Sequence, residues 1–289
     1  MEQSSIKVRD VVMDALAVPP FRWILGSFER SNLGLKLLNR LSNPRSVFSS
    51  FDDAWKAAKQ TTYAGHDHPD YLRIQVELSG TLRPSDYAVL YWLSRTQMKP
   101  LRILDYAGSV GNVYYSYAEH LRQLAGQFEW VVFDLPPIVD AGRRLAQERG
   151  EHDLKFASSL KELDGDYVVH ISSAFHYWEK GVEAFIAHLP CQPRHIIVNR
   201  VPVNKDESTF VTVQFKKTYA VPCIVRNRDE LVSDFATAGY VLVDSWAAPE
   251  LRLRMPLFPG HNVPAYSGFY FARKNALSLV GRPEVGRTA

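Results

Sequence analysis

Residues 102–136 read RILDYAGSVGNVYYSYAEHLRQLAGQFEWVVFDLP. The segment contains an apolar strand ending at Asp105, a turn of small residues, a helix-length stretch, and a second strand ending at Asp134. Two parallel strands joined by one crossover helix bring both strand ends to the same edge of a sheet, where open α/β sheets bind nucleotide-like ligands. The turn over residues 107–111 has almost no side chains, so a ligand can lie against its backbone and the start of the helix. We therefore expect a nucleotide-cofactor site at this edge.

The residues of the turn discriminate between cofactors. The dinucleotide spacing G-x-G-x-x-G is missing, because Ala107 and Ser109 hold the first and third small positions, and no Lys-Ser/Thr pair follows the glycines to make a Walker loop. A carboxylate at Asp105 would repel a pyrophosphate. S-adenosylmethionine has no phosphate and carries a sulfonium and an ammonium group, so we expect it as the cofactor. The alternative interpretation is an acid-capped strand and a glycine turn in another doubly wound domain.

Further positions follow from this cofactor hypothesis. We expect Asp134 to accept hydrogen bonds from the ribose hydroxyls and Leu135 to shape an apolar slot beside the adenine. Ser158 follows the third strand, where an adenine contact is expected. The predicted cofactor-binding residues are Asp105, Ala107, Gly108, Ser109, Gly111, Asp134, Leu135, Ser158 and Ser172.

The composition argues against several classes of protein. The chain has 289 residues and a formal net charge of +3, without the dense Lys/Arg stripe of a nucleic-acid binder. Cys191 and Cys223 are the only cysteines, too few and too far apart for a disulfide scaffold or a cysteine zinc site. Glu2, Asp10 and Asp14 argue against a signal peptide, and no run reaches the ~20 apolar residues that span a bilayer. We expect a cytoplasmic protein without a nucleic-acid partner.

Residues 11–38 alternate apolar and aromatic residues with Arg and Lys, and Pro19-Pro20 interrupts them. We expect this segment to pack on the main domain or on a second subunit of a homodimer. Peripheral contact with an anionic membrane surface, at the inner face of the membrane, is the alternative.

The change from a helical pattern to alternating strands and helices divides the chain into two regions after residue 98. Residues 1–98 are predicted to form an N-terminal helical cap or lid, with helices starting near Ser50 and Pro84. Residues 99–289 are predicted to form the cofactor-binding domain, interrupted by an irregular insertion at about 202–228 and followed by a helix at 229–238. Alternation of strands and helices indicates a parallel sheet, with strands at 101–106, 129–134, 154–158, 166–172, 194–201, 240–246 and 266–271.

The last two strands have no helix between them, so they should pair antiparallel at one edge of the sheet. A seven-stranded sheet with a reversed last strand is the methyltransferase variant of the doubly wound fold. The predicted fold class is therefore α/β, with a Rossmann-like seven-stranded methyltransferase sheet and an N-terminal helical cap.

The order ILDYAGSVG, VVFDLPPIVDAG and DYVVHISSAFHYW resembles class I S-adenosylmethionine-dependent methyltransferases, and FDLP is similar to the ribose-binding strand of small-molecule O-methyltransferases. Four further pieces resemble a little-studied methyltransferase family of bacterial O-antigen and capsule gene clusters: FSSFDDAW, the helix after LRPSDY, FVTVQF and AYSGFYF. The resemblance covers roughly residues 47–275. It implies a cytoplasmic enzyme that O-methylates a sugar or other small hydroxyl acceptor in surface polysaccharide biosynthesis, although Ala107 and Ser109 replace glycines common in the superfamily.

Transfer of a methyl group to a hydroxyl is an in-line displacement that benefits from a general base. His176 follows the strand at 166–172 and falls at the cofactor edge of the sheet, so it is our candidate base. A structural role at the strand end is the alternative, and His170, inside an apolar strand, is expected to be a buried, hydrogen-bonded histidine. The segment 66–70, HDHPD, is interpreted as a polar loop at the acceptor cleft rather than a metal site. The predicted acceptor-binding residues are Tyr63, His66, Tyr71, Arg73, Tyr177 and His261.

Two other function classes stay open at this point. A non-catalytic scaffold with a methyltransferase fold would need no base. A NAD-dependent nucleotide-sugar enzyme is disfavoured by Asp105, by the missing glycine spacing, and by the absence of a Tyr-x-x-x-Lys pair after the fourth strand.

Overall fold

A mixed seven-stranded sheet forms the centre of the computed structural model, which describes residues 46–61, 63–64, 73, 75–77, 80–215, 219–255 and 258–279. The strands are β1 (Tyr63–Ala64), β2 (Leu101–Tyr106), β3 (Phe128–Phe133), β4 (Leu154–Ala157), β5 (Val168–Ser172), β6 (His195–Val201), β7 (Val203–Asn204), β8 (Phe210–Phe215), β9 (Tyr219–Asn227), β10 (Tyr240–Ala248) and β11 (Tyr266–Arg273). The helices are α1 (Phe51–Thr61), α2 (Asp86–Arg95), α3 (Asn112–Ala125), α4 (Pro136–Glu148), α5 (Gly181–His188) and α6 (Arg228–Thr237).

The order of strands in the large sheet is β10-β11-β6-β5-β2-β3-β4. All neighbours from β4 to β6 are parallel, and β11 runs antiparallel to both β6 and β10. The predicted α/β fold, a Rossmann-like seven-stranded methyltransferase sheet with a reversed last strand, is therefore confirmed. The chain order reverses between β2 and β5, and the crevice above the carboxyl ends of these strands is the position where such sheets bind ligands.

Helices cover both faces of this sheet because its strands carry apolar residues on both sides. Ile103 and Tyr270 pack with α2 and α3, whereas Leu104 and Phe271 pack with α5 and α6 on the opposite face. This alternation along each strand follows from its two-residue side-chain period. Every residue of β6 is buried, which is typical of a central strand in a sheet covered on both faces.

Three of the four strands of a second, smaller sheet lie in the segment at 202–228 that was predicted to be an irregular insertion, so the prediction of an irregular segment is wrong. β8 and β9 form an antiparallel hairpin, and β7 and β1 each pair parallel with β9. Ala54 and Ala58 of helix α1 pack against Val213 and Ala220 of the hairpin. Pro222 inside β9 hid the strand from sequence analysis, since proline donates no ladder hydrogen bond and usually argues against a strand.

The region before residue 99 contributes to two layers. Helix α1 belongs to the hairpin side, whereas α2 packs in the core of the large sheet, where the Trp92 indole donates to Asp244 Oδ2 at 2.8 Å. The predicted segment at 11–38 lies outside the described residues. Among the helices of the described ranges, none has the length and apolar character needed to cross a bilayer.

Asn227 joins the hairpin to helix α6. Its Oδ1 accepts from the amides of Asp229 and Glu230 at 2.9 and 3.2 Å, and its Nδ2 donates to the Glu207 carbonyl at 3.0 Å. We expect Asn227→Ala to lower the free energy of unfolding by about 1–2 kcal/mol, because both the helix cap and the tie to the preceding loop are lost. Urea unfolding followed by tryptophan fluorescence measures this, with Thr237→Ala at the exposed end of the same helix as the control. An Asn227→Ala midpoint equal to that of the control variant would contradict this capping role.

Candidate functional site

A cavity of about 440 Å³ opens above the carboxyl ends of β2, β3, β5 and β6. Its β2–β3 side is formed by the turn after β2 and the start of α4, and is lined by Asp105, Tyr106, Ala107, Gly108, Ser109, Asn112, Val113, Asp134, Leu135 and Ile138. Its β5–β6 side is lined by Ser172, Ser173, Ala174, His176, Tyr177, Trp178, Arg200, Gln214, Tyr219, Leu251 and Tyr266. Gln75 and Arg83 reach the cavity from the segment before the sheet.

The turn after β2 follows an unusual backbone path. Ala107, Ser109 and Gly111 all have left-handed conformations, with φ of 54°, 56° and 81°. Only glycine adopts this conformation freely, so Ala107 and Ser109 each carry strain of about 1–2 kcal/mol. A Cβ on Gly108 would lie 2.5 Å from Asp105 Oδ2. Glycine at 108 is therefore a steric requirement of the buried acid below it.

Asp105 is fully buried under this turn. Its Oδ1 lies 2.9 Å from His170 Nδ1, on the paired residue of β5, and its Oδ2 accepts from the Trp130 indole at 3.3 Å. The carboxylate therefore takes part in hydrogen bonds inside the sheet and acts on the cavity mainly through its charge. As predicted, His170 is buried and its Nδ1 has a hydrogen-bonding partner, but its Nε2 is buried without a hydrogen-bond partner among the described residues, so the prediction of a satisfied histidine holds for one ring nitrogen only.

Asp134 holds the turn from the neighbouring strand. Its Oδ2 accepts from the Ser109 amide at 2.8 Å, and its Oδ1 accepts from the Leu135 amide at 2.7 Å. Burial raises the pKa of Asp134 to about 6, against the effect of these two amides, and the charge of Asp105 adds to the rise. Because each carboxylate oxygen has a second lone pair, Asp134 can still accept hydrogen bonds from a ligand.

A buried ionic cluster lies at the end of β6. The Arg200 guanidinium forms ion pairs with Asp86 and with Glu250 (Nε to Oε1, 3.0 Å), and it donates to Ser172 Oγ at 3.0 Å. The Tyr117 hydroxyl also donates to Asp86. Arg200 itself has a left-handed φ of 57°. The cluster therefore joins α2, β6 and the segment after β10 at the wall of the cavity.

Sequence analysis missed this cluster. Its members come from five separate parts of the chain, and the only local signal was a charged residue inside the apolar run HIIVNRV. A buried arginine requires partners, but the sequence does not say which acids supply them.

His176 lies in a short 3-10 turn, Phe175–Tyr177, directly after β5. It is buried and lines the cavity. The Arg226 guanidinium, from β9, donates to the carbonyls of Phe175 (3.3 Å) and Trp178 (2.6 Å) and lies over the Phe175 ring at 4.9 Å. Burial lowers the pKa of Arg226 to about 10. This residue fixes the turn on both sides of His176.

Neutral polar groups continue the wall beyond His176. The Tyr177 hydroxyl donates to Gln214 Oε1 at 2.9 Å, and Gln214 Nε2 donates to the Tyr266 hydroxyl at 3.1 Å. Gln214 comes from β8, so the hairpin contributes directly to the cavity. The sequence signal was again a single polar residue in an apolar strand, FVTVQF.

The structure brings together many of the residues predicted from sequence. Nine of them line one cavity: Asp105, Ala107, Gly108, Ser109, Asp134, Leu135, Ser172, His176 and Tyr177. Gly111 caps the start of α3, with its amide bonded to the Gly108 carbonyl at 3.1 Å, and is outside the lining.

The remaining predicted residues lie elsewhere or outside the description. Ser158 is exposed, and its hydroxyl lies 3.5 Å from Glu162 Oε1, away from the cavity. His261 packs its ring against Phe210 at 4.6 Å rather than lining the cavity, and Arg73 is exposed. The structure does not describe His66, Tyr71 or the side chain of Tyr63. Within the described ranges no cluster of three metal-ligating side chains is found, and segment 66–70 lies outside them.

Comparisons with known proteins give structural likeness at low sequence identity. No family model matches the chain, and no curated protein matches it. The Burkholderia thailandensis 1,6-didemethyltoxoflavin-N1-methyltransferase, solved with its substrate and S-adenosylhomocysteine, is 17% identical over 80% of this chain and 93% of its own, with a TM-score of 0.48.

Two further solved structures have similarly low sequence identities and TM-scores. The CcbJ methyltransferase of Streptomyces caelestis is 13% identical over 66% of this chain and 90% of its own, with a TM-score of 0.45. The mitomycin 7-O-methyltransferase MmcR is 13% identical over 91% of this chain and 71% of its own, with a TM-score of 0.42. The strand order and directions described above, rather than these similarities, define the fold.

Two adjacent substitutions test the geometry of the turn. We expect Gly108→Ala to lower the free energy of unfolding by about 2 kcal/mol, because the added methyl group displaces Asp105 from its buried hydrogen bonds. Ala107→Gly removes a methyl group from a left-handed residue, so it should leave stability unchanged or raise it by up to about 1 kcal/mol. Urea titration with Trp130 fluorescence as the local probe compares the two. Equal effects of the two variants would show that the turn has a different conformation in solution.

Proposed function

We propose that this protein is an S-adenosylmethionine-dependent methyltransferase that acts on a hydroxyl group of a small acceptor. The observation that carries the proposal is the contact between Asp134, at the end of β3, and the Ser109 amide in the glycine turn after β2. It places a carboxylate beside a nearly side-chain-free turn, in a cavity at the switch point of the sheet.

The hydrogen bonds of the turn favour a cofactor without phosphate. A dinucleotide-binding turn uses its free backbone amides to hold the pyrophosphate. Here the amides of Ala107, Ser109 and Gly111 already donate to the Phe133 carbonyl, to Asp134 and to the Gly108 carbonyl. With Asp105 and Asp134 below and beside the turn, the local charge is negative. Both features disfavour a pyrophosphate and suit a cationic nucleoside.

The residues on the β2–β3 side fit S-adenosylmethionine. Asp134 would accept from its ribose hydroxyls through the remaining lone pairs of the carboxylate. Leu135 is about half exposed (53%) and Ile138 also lines the cavity, so both offer apolar surface for the adenine ring. When bound, the cofactor supplies a methyl group on a sulfonium sulfur, which a correctly placed nucleophile displaces.

The β5–β6 side suits an acceptor that reacts through a hydroxyl group. Tyr177, Gln214 and Tyr266 provide phenol and amide groups that are already joined by hydrogen bonds, so they present fixed donors and acceptors. His176 lies in the same wall and would remove the hydroxyl proton as the acceptor oxygen attacks. The protein positions the acceptor for in-line attack by keeping this wall rigid.

A more specific proposal is that the acceptor is a sugar or another small hydroxyl compound of surface polysaccharide biosynthesis, and that the protein acts in the cytoplasm. It is supported by the sequence resemblance. Packing of residues 11–38 on a second subunit of a homodimer belongs to the same proposal, and peripheral membrane contact through the N-terminal segment is its alternative. The competing function is a scaffold that keeps the fold without catalysis.

Calorimetric titration with S-adenosylhomocysteine and with NAD, in parallel, tests the cofactor assignment. We expect wild-type protein to bind S-adenosylhomocysteine with micromolar affinity and to show no heat with NAD. Asp134→Asn should weaken S-adenosylhomocysteine binding by about 10- to 100-fold, since hydrogen bonds to a charged acceptor contribute about 1.5–3 kcal/mol. Asp140→Asn, on the exposed surface of α4, is the matched control and should bind like wild type.

The pH dependence adds a second readout to this experiment. The carboxylate form of Asp134 accepts from the ribose, so affinity should be full at pH 7.5. It should fall below the pKa of about 6 by up to about tenfold per pH unit. In Asp134→Asn this dependence should disappear. Binding of NAD by the wild-type protein, or a pH profile that survives the substitution, would reject the cofactor assignment.

The acceptor class and the base are tested by incubating the protein with S-adenosylmethionine and a panel of phenols and glycosides. Methylation is measured as the release of S-adenosylhomocysteine. We expect hydroxyl compounds to be methylated, and His176→Gln to lower kcat by about 100- to 10,000-fold while S-adenosylhomocysteine affinity stays within twofold. His261→Gln is the control, because His261 packs away from the cavity. Methylation of amines alone would overturn O-specificity, and wild-type turnover by His176→Gln would remove its role as base.

A further inference from the structure

Arg83 is a cationic residue of the cavity that the proposed chemistry does not use. It lies in the segment just before α2 and lines the cavity. In the described part of the chain, its guanidinium has no hydrogen bond and no ion pair. Its backbone is held by Asp86: the Arg83 amide donates to Asp86 Oδ2 at 2.8 Å, and the Arg83 carbonyl accepts from the Asp86 amide at 2.9 Å. A planar fork of five donors therefore lies at the cavity wall without a protein acceptor.

The nearby acids are engaged by a different arginine. Asp86 and Glu250 both pair with Arg200, and Asp86 also accepts from the Tyr117 hydroxyl. Glu250 Oε2 is buried without a hydrogen-bond partner among the described residues, yet Arg83 forms no ion pair with it and Glu250 is not part of the cavity lining. The two acids of this corner balance the two arginines in number, but both form their close contacts with Arg200, and the Arg83 guanidinium has no close acidic partner.

The electrostatics of Arg83 agree with this geometry. Its pKa is lowered from the usual arginine range, because burial and the charge of Arg200 outweigh the attraction of Asp86 and Glu250. A partly desolvated guanidinium without a close counter-charge is unfavourable, and an anion entering the cavity would relieve it. Among anions, a planar carboxylate matches the fork through two parallel hydrogen bonds.

The position of Arg83 restricts which part of a ligand it can meet. The Arg83 amide donates to Asp86, which pairs with Arg200 at the end of β6, whereas Asp134 is at the end of β3, three strands away in the order β6-β5-β2-β3. With a strand spacing of about 4.8 Å, these two positions are on the order of 14 Å apart. Arg83 therefore lies at the opposite end of the cavity from the acid assigned to the ribose.

We propose that Arg83 binds a ligand carboxylate at the β5–β6 end of the cavity. The inference rests on the proposed function, because the ribose assignment of Asp134 orients the ligand. Two sources carry this chemistry: the amino-acid end of the cofactor, and an acidic group on the acceptor. Arg83 is then a binding residue that discriminates acidic from neutral ligands.

Calorimetry with four probes separates the sources. S-adenosylhomocysteine is compared with its decarboxylated analogue, which keeps the amine and lacks only the carboxylate. Protein saturated with S-adenosylhomocysteine is then titrated with 4-hydroxybenzoate and with 4-hydroxybenzamide. Each probe is measured on wild type, Arg83→Gln, Arg83→Lys and the control Arg95→Gln, whose guanidinium stacks on Tyr91 outside the cavity.

If the cofactor supplies the carboxylate, Arg83→Gln should weaken S-adenosylhomocysteine by about 10- to 100-fold and leave the decarboxylated analogue within twofold. If the acceptor supplies it, wild type should prefer the benzoate to the benzamide, and Arg83→Gln should lose that preference. In either case Arg83→Lys should retain part of the effect, because it keeps the charge and loses the fork. Four affinities unchanged by Arg83→Gln would overturn the inference while leaving the proposed function intact. Failure of wild type to bind S-adenosylhomocysteine would overturn both.

Thermal unfolding without ligand distinguishes binding from a structural role. Since the Arg83 guanidinium forms no close ion pair, Arg83→Gln should unfold at the wild-type temperature or above it. A clear drop, absent from Arg95→Gln, would mean that Arg83 pairs with Glu250 in solution, and this would also overturn the inference.

Discussion

The Ser109 amide and the Asp134 carboxylate form the contact on which the cavity depends. It ties the turn after β2 to the end of β3, so two consecutive crossover units share one ligand-binding edge. The same contact uses an amide that would otherwise be available to a phosphate, and it helps to hold a left-handed serine in place. One arrangement therefore accounts for the strained backbone of the turn, for the partly buried Asp134 carboxyl group beside it, and for a turn that disfavours phosphate. The fully buried Asp105 lies directly below Gly108 and leaves no space for a side chain there.

A second constraint comes from the Arg200 cluster. Buried ion pairs contribute little net stability, because desolvation offsets most of the attraction. Their geometry is nonetheless specific: Arg200 can satisfy Asp86, Glu250 and Ser172 only if α2, β5 and the segment after β10 meet at one point. Helix α2 is thereby fixed to the wall of the cavity, and Arg83, just before this helix, enters the cavity from there.

The large sheet could be predicted from the sequence because the residues that mark each of its strands are close together in the chain. Each apolar run ends at a polar residue or a turn, and all seven predicted strands begin and end within two residues of the observed ones. The β2–β3 side of the cavity was predicted for the same reason, since Asp105 and Asp134 terminate strands whose ends must be adjacent. The hairpin was missed because Pro222 argues against a strand when read alone, although tertiary packing makes β9 almost entirely buried.

The β5–β6 side was largely unpredictable for a different reason. Arg200, Gln214 and Tyr266 acquire their partners through contacts over long sequence separations, and a single sequence carries no record of such pairs. His176 was found because it directly follows a strand. His261 was misjudged as a wall residue: its proline-rich loop gave no sign that the ring would pack on Phe210.

The hairpin contributes to the cavity as a unit. Gln214, Tyr219 and Arg226 all belong to it, so this one segment of the chain both builds part of the cavity wall and holds the backbone next to His176. The crossover units around β2 and β3 lie outside this segment. On the proposed function, exchange of residues 203–227 that keeps Arg226 and Asn227 would change the acceptor side of the cavity and leave the turn after β2 as it is. The same segment defines a compact target for combinatorial libraries.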